Sequence, residues 1–315
     1  MQSELTDQKK IRIVFMGTPD FAVASLDVLV QNGYNIAGVI TAPDKPAGRG
    51  LQMHESAVKQ YAVSKGLKVL QPEKLKNPAF LEELKALQAD LQVVVAFRML
   101  PEVVWNMPPL GTINVHASLL PNYRGAAPIN WAIINGEKQS GVTTFKLKHE
   151  IDTGDILFSQ SVDIREDETA GELHDDLMAT GAALLLKTVE ALASGQAAET
   201  PQAHIDAGSL KHAPKIFKED CLIKWEEPVD KIYNLVRGLS PYPTAWTTLQ
   251  GKSMKIFKAV KENKQPAEAP GEVLTDNKSY LKIAAADGYL SLKEIQLEGK
   301  KKMDIEAFLR GFRLQ

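Results

Sequence analysis

The chain predicts a doubly wound, Rossmann-like α/β domain followed by a smaller OB-like β-barrel domain. Three observations carry this. Across residues 11–193, short β-branched apolar runs alternate with amphipathic helical stretches, the pattern of a mostly parallel sheet covered by helices. Beyond residue 245 the pattern changes to short alternating segments separated by turn residues, as in a small Greek-key barrel. Between them, residues 196–213 lack apolar periodicity and are rich in Ala, Gln, Gly and His. At 315 residues the chain is long for one domain. The expected boundaries are 1–195, a linker at 196–213, and 214–315.

The elements follow in order. Residues 11–16 form a β-branched run ending in Gly17-Thr18-Pro19-Asp20-Phe21, with a helix over 19–31 closed by Asn32-Gly33. This strand–turn–helix lacks the G-x-G-x-x-G pattern, and Pro19 occupies a position where a phosphate-cradling backbone would need its N–H. A dinucleotide cofactor is therefore not expected. A second strand over 35–41 runs into a Pro- and Gly-rich loop, 42–50, that presents Lys45 and Arg49 outward. Helices at 54–65, 78–88 and 101–105 alternate with strands at 68–70 and 91–96. Helix 128–134, strands 141–147 and 156–164 and a long helix at 170–193 complete the first domain, with Thr169 and Glu172 spaced as a capping box. A helix at 229–239 and strands near 245–249, 254–260, 271–274, 281–284 and 289–296 make up the second.

Candidate chemistry sits at the end of the strand over 112–115. Asn114 and His116 are two residues apart, so an extended backbone sends both side chains to one face. Ser118, Pro121, Asn122, Gly125 and Pro128 then open a loop, and carboxyl ends of strands are where open α/β sheets bind ligands. An amide donor beside an imidazole suits attack of an amine on a carbonyl, which creates an oxyanion and releases a proton. Asp152, in Glu150-Ile151-Asp152-Thr153-Gly154-Asp155, is the candidate third group. Taken singly, a strand-end Asn or His is more often a satisfied polar group, and Asp-Thr-Gly is ordinary turn chemistry.

The run Asn-Val-His-Ala-Ser-Leu-Leu-Pro at 114–121, then Arg-Gly-Ala-Ala-Pro and the distant Asp-Thr-Gly-Asp, resembles the formyltetrahydrofolate-dependent transformylases. The resemblance implies Asn114, His116 and Asp152 as the catalytic trio. It makes 10-formyltetrahydrofolate the formyl-donor cosubstrate, with Ser118, Leu119, Leu120 and Pro121 shaping its site across a Leu120–Pro121 bond that is a candidate for cis. It also implies methionyl initiator tRNA as acceptor, because the Gly-Thr-Pro-Asp-Phe opening and the 42–50 loop match members acting on that tRNA, with Arg49 and Lys45 as tRNA contacts. Transfer would be direct, with no metal and no covalent intermediate. Phe97-Arg98 stands where Tyr-Gly is common in this family, and Arg98 does not share glycine's tolerance of positive φ.

Charge is uneven. The formal net charge is −2, but residues 214–315 carry 18 Lys+Arg against 14 Asp+Glu. That asymmetry fits either a polyanion contact or a merely solvated lysine-rich surface. Lys252, Lys255, Lys258, Lys261 and Lys264 leave the same two options. Cys221 is the only cysteine, which excludes an intrachain disulfide and a cysteine-based metal site. Residues 1–10 lack an apolar signal core and no run approaches a membrane span, so a cytoplasmic protein with no membrane partner is expected. No obligate protein partner is implied, and a monomer is expected. Three rival readings are a formyltransferase acting on an amino-sugar nucleotide, a formyltetrahydrofolate hydrolase, and a non-catalytic RNA-binding protein.

Overall fold

The computed structural model describes residues 9–47, 52–202 and 210–313. Its contacts divide the chain into two compact units: Met1–Arg124, Gly141–Val162 and Asp175–Lys211 in the first, and Gly125–Ser140, Asp163–His174 and His212–Gln315 in the second.

The first unit is built on a sheet. Its strands are β1 (Arg12–Gly17), β2 (Asn35–Ile40), β5 (Val69–Leu70), β6 (Leu91–Val95), β7 (Thr112–His116), β9 (Gln139–Lys146) and β10 (Ile156–Asp163). They lie in the order β10-β9-β7-β6-β1-β2-β5. From β5 to β7 every neighbouring pair is parallel, whereas β9 runs antiparallel to β7. The Rossmann-like expectation is met. In β1, Ile13, Val14, Phe15 and Met16 are all fully buried, which is why the strand reads as a continuous apolar run rather than an alternating one. Val14 and Met16 join Ile40, Val94, Val104 and the α3 residues Phe80 and Leu84 in one apolar cluster. The helices of this unit include α1 (Asp20–Gln31), α2 (Ala57–Ser64), α3 (Pro78–Ala86) and α4 (Glu102–Trp105).

Register decides which face carries the candidate chemistry. Val94 pairs with Asn114 across β6 and β7, and Met16 pairs with Val94 across β1 and β6. Paired residues in parallel strands point to the same side, so Asn114 and His116 lie on the face that α3 and α4 cover.

Three details differ from the sequence expectation. The 42–50 loop is partly ordered as a hairpin, because β3 (Lys45–Ala47) pairs antiparallel with β4 (Gln52–His54). His54 therefore belongs to a strand, and α2 starts at Ala57 behind the Ser56 cap, whose hydroxyl accepts from Lys59 N. Arg98 does not bear the strained turn after β6. That conformation falls on Ala96, at φ +46°, while the Arg98 guanidinium donates to Glu73 O at 2.7 Å and to Pro72 O. Residues 212–213, read as linker, form β11 (His212–Ala213), which pairs with β8 (Arg124–Gly125).

The second unit holds helix α5 (Pro128–Ile134), the start of α6 (Ala170–Ala193), α7 (Val229–Gly238), α8 (Ile305–Arg310) and an antiparallel sheet. The sheet contains β12 (Ala245–Leu249), β13 (Lys252–Glu262), β14 (Val273–Thr275), β15 (Leu281–Ala284), β16 (Tyr289–Leu297) and β17 (Met303–Asp304). Its order is β12-β13-β16-β15-β14, with β17 on β16. Ile232, Tyr233 and Val236 of α7 are packed in one core with Met254, Ile256, Leu290, Leu292 and Ile295. The apolar i, i+1, i+4 spacing of α7 is thus its core face. β17 and α8 have no counterpart in the sequence expectation, being too short to show a period. Among the spaced lysines, Lys252, Lys255 and Lys258 are exposed, but Lys261 pairs with Asp230 at 2.6 Å. Register shifts around Lys258 break the strict alternation of β13.

The capping box at the start of α6 forms as expected. Thr169 N and Oγ1 donate to Glu172 Oε2 at 2.8 and 2.7 Å, and Glu172 N donates to Thr169 Oγ1 at 3.3 Å. The backbone bond from Thr169 is the largest cause holding the Glu172 carboxyl below its ordinary value. Its contribution is therefore complete at neutral pH and is lost as pH falls through that lowered value. Thr169→Ala is expected to cost about 1 kcal/mol, and adding Glu172→Ala should cost less than the sum of the two changes. Denaturant titration at neutral pH of the single and double variants measures both.

Candidate active site

β7 delivers Asn114 and His116 at the carboxyl edge of the sheet. Asn114 is half-buried, and among the described residues its carboxamide has no hydrogen-bond partner. His116 is 7% exposed. Its Nε2 lies 2.9 Å from Tyr123 O. A carbonyl oxygen can only accept, so Nε2 carries the hydrogen in this contact and Nδ1 is the ring nitrogen left to exchange a proton. Nδ1 faces Asp152 Oδ2 at 3.9 Å. That separation exceeds a hydrogen bond and lies at the long end for an ion pair.

Asp152 is 9% exposed and adopts a left-handed conformation, φ +56°. Its turn is closed by Thr153 Oγ1 donating to Glu150 O at 3.0 Å and by the Lys148–Asp155 pair at 2.7 Å. Gly154 is required by space: a Cβ there would lie 1.6 Å from Lys146 O at the end of β9. Two carbonyls of the turn, Asp152 O and Gly154 O, accept from Gln202 Nε2 at 2.8 and 2.9 Å.

The loop after β7 uses its polar groups on itself. Ser118 is 1% exposed, and its hydroxyl donates to Asn122 O at 2.8 Å. Thr143 Oγ1 donates to Ser118 O at 2.7 Å and accepts from Leu120 N at 3.1 Å. Leu119 packs against Gly141, Leu120 is buried, and the Leu120–Pro121 bond is cis. The Ser118 hydroxyl and the two Thr143 bonds thereby pin the turn of this loop.

A groove of about 1030 Å³ is lined by residues 74–76 and 98–103. Met99 and Val103 are 73% and 50% exposed. The groove opens from the segment following β6, the strand next to β7. Glu102 on its rim meets His149 of the Asp152 loop, Oε1 to Nε2 3.5 Å, and the Trp105 ring abuts His149 edge-on at 5.4 Å. The groove wall combines apolar Leu75, Met99, Leu100, Pro101 and Val103 with the charged Lys74, Lys76, Arg98 and Glu102.

Of the residues singled out in the sequence, Asn114, His116, Asp152 and Ser118 to Pro121 share the first unit with this groove. Lys45 is exposed on β3 at the base of the hairpin, and Arg49 lies outside the described residues. The hairpin base is anchored by Asp44, which accepts from Lys59 and from Gln71 Nε2 at 2.8 Å; the Lys59 bond is the first cause of its lowered carboxyl pKa. Sequence reasoning missed Tyr123, Arg124 and Gln202. Tyr123 acts through its carbonyl, which leaves no trace in side-chain identity. Gln202 sits in a stretch without periodicity.

An amide donor, an imidazole whose Nδ1 faces a carboxylate, and that carboxylate are the groups that acyl-type transfer to an amine requires. Comparison with known proteins agrees with that class. The chain belongs to the formyl transferase family: the family model described as formyl transferase matches residues 9–189, and the formyl transferase C-terminal domain matches 215–313. Over 317 residues the chain is 58% identical to a methionyl-tRNA formyltransferase of Parabacteroides distasonis, covering 97% of each chain. Another methionyl-tRNA formyltransferase, from Flavobacterium johnsoniae, is 50% identical over 307 residues, 96% of each. Solved structures with the same fold include an N-formyltransferase of Helicobacter canadensis in complex with folinic acid and dTDP-3-aminofucose, with a TM-score of 0.67, 21% identity and coverage of 93% of this chain and 100% of that one. Aquifex aeolicus HypX in complex with tetrahydrofolic acid aligns with a TM-score of 0.65 at 20% identity, over 96% of this chain and 47% of its own.

Gly154→Ala is expected to displace the Asp152 turn, since Lys146 O is backbone and cannot rotate away. A shift of about 1 Å in a positioned group costs about 100-fold in rate. Turnover should therefore fall by about that factor, with a melting temperature several degrees lower.

Proposed function

We propose that this chain transfers the formyl group of 10-formyltetrahydrofolate to the α-amino group of methionyl initiator tRNA. The observation that carries the reading is the His116 ring, held at Nε2 by Tyr123 O with Nδ1 facing Asp152, on the same strand as an Asn114 carboxamide that has no hydrogen-bond partner among the described residues. The donor supplies the formyl carbon when bound, and the groove after β6 offers apolar walls for the faces of a pterin ring and charged groups for its polar edge. Asn114 donates to the oxyanion that develops as the amine attacks. His116 Nδ1 takes the amine proton, and Asp152 holds the charge so created and helps return a proton towards the leaving N10. Ser118, Leu119, Leu120 and Pro121 shape the donor site.

The acceptor rests on the relatives. Those sharing 45–58% of their residues over nearly the full chain are described as methionyl-tRNA formyltransferases. The sugar formyltransferases resemble this chain at about 21% identity, which speaks for fold alone. Lys45, and Arg49 in the same 42–50 loop, are the proposed tRNA contacts. Residues 1–195 form the catalytic domain, 196–213 the linker, and 214–315 an OB-like domain whose exposed Lys252, Lys255 and Lys258 follow the RNA backbone. Support for the OB-like reading is the Greek-key step that places β16 beside β13. The enzyme works in the cytoplasm as a monomer.

Asn114→Ala and His116→Ala should each lower formyl transfer to charged initiator tRNA by about 100-fold or more. Either variant keeping a tenth of the wild-type rate would remove these roles. Formylation of a free amino-sugar nucleotide in preference to charged tRNA would reassign the acceptor, and formate release without any acceptor would mark a hydrolase.

A further inference from the structure

The two ends of the His116 ring are held by two different loops. Tyr123 O engages Nε2, and the Asp152 turn faces Nδ1. One side chain joins these loops. Gln202 Nε2 donates to Asp152 O at 2.8 Å and to Gly154 O at 2.9 Å, while its Oε1 accepts from Arg124 Nε at 3.1 Å and from Arg124 Nη2. Arg124 is the residue immediately after Tyr123. Gln202 is half-buried, and its segment is itself docked: Thr200 N donates to Ile156 O at 2.9 Å, Ile156 N donates to Thr200 O at 2.8 Å, and Glu199 pairs with Lys146 at 2.5 Å.

We propose that Gln202 is a positioning residue that sets the distance between the Asp152 carboxylate and His116 by tying the Asp152 turn to the Tyr123–Arg124 loop. The proposal rests on the catalytic trio proposed above. A carboxamide fits the place because the contact needs donors towards two turn carbonyls and an acceptor towards a guanidinium on one planar group. Glutamate would satisfy Arg124 but set oxygens against both carbonyls, and alanine would leave those carbonyls and Arg124 without their link. The Asp152 turn has a left-handed residue at its tip and a His116 contact of 3.9 Å, so a small shift lengthens a separation already beyond hydrogen bonding.

The test uses the full chain with 10-formyltetrahydrofolate and charged initiator tRNA. Gln202→Ala should lower kcat about 10-fold and Gln202→Glu about 100-fold, with KM for both substrates and the melting temperature near wild type. Because Gln202 acts through Asp152, Gln202→Glu added to Asp152→Asn should lower kcat no further. A wild-type kcat in Gln202→Glu overturns the proposal, as does an undiminished loss in the Asp152→Asn background. Parallel losses of kcat and melting temperature in both Gln202 variants also overturn it, since they mark a purely structural role. Should Asp152→Asn alone keep full kcat, the trio itself fails; should Asp152→Asn lose rate while Gln202→Glu does not, the trio stands and only the bridge falls.

Discussion

A backbone carbonyl can only accept a hydrogen bond, and the His116 ring is organised by that restriction. Tyr123 O takes up Nε2, so the ring cannot flip without losing the contact, and Nδ1 is left facing Asp152. Everything else around the site keeps this arrangement in place. Ser118 and Thr143 fold the loop after β7 so that Tyr123 returns over the ring, in a left-handed conformation at φ +59°. Gly154 allows the Asp152 turn to sit directly on Lys146 O. Since a single neutral hydrogen bond contributes only about 1 kcal/mol, no one of these contacts is decisive for stability. Their joint effect is geometric, and geometry is what transfer chemistry is sensitive to.

The sheet supplies the reference frame. Four strands, from β1 to β7 through β6 and out to β2, run parallel, so their carboxyl ends gather at one edge. The pairing of Val94 with Asn114 puts the trio and the groove after β6 on one face, above a cluster anchored by Val14, Met16 and Phe80. Members of that cluster are buried, and truncating a buried phenylalanine such as Phe80 typically costs about 3–5 kcal/mol.

Much of this is legible in the order of residues. Continuous β-branched runs mark strands buried on both faces, and the spacing of Asn114 and His116 gives their common side. The capping box at Thr169 and Glu172 is a local code, and it forms as that code specifies. The departures share a cause. The β3–β4 hairpin, β11 and β17 have two or three residues in each strand, too few to display a period. Ala96, not Arg98, takes the left-handed turn after β6, because the backbone distributes strain by tertiary fit rather than by residue type. Gln202 is hidden in a stretch that reads as linker, where no pattern separates a docked strand-like segment from a free one.

Periodicity and residue type are local properties. They give the class of fold and the common face of Asn114 and His116 on β7, whereas Asp152 is joined to those two only by the family resemblance. How those side chains meet is a product of folding. The 3.9 Å gap between His116 and Asp152, the use of Tyr123 O to assign the ring nitrogens, and the Gln202 bridge from residue 202 back to residues 124, 152 and 154 all depend on segments far apart in the chain. Backbone carbonyls carry these contacts, and every residue has the same carbonyl, so side-chain identity holds no record of which ones are used.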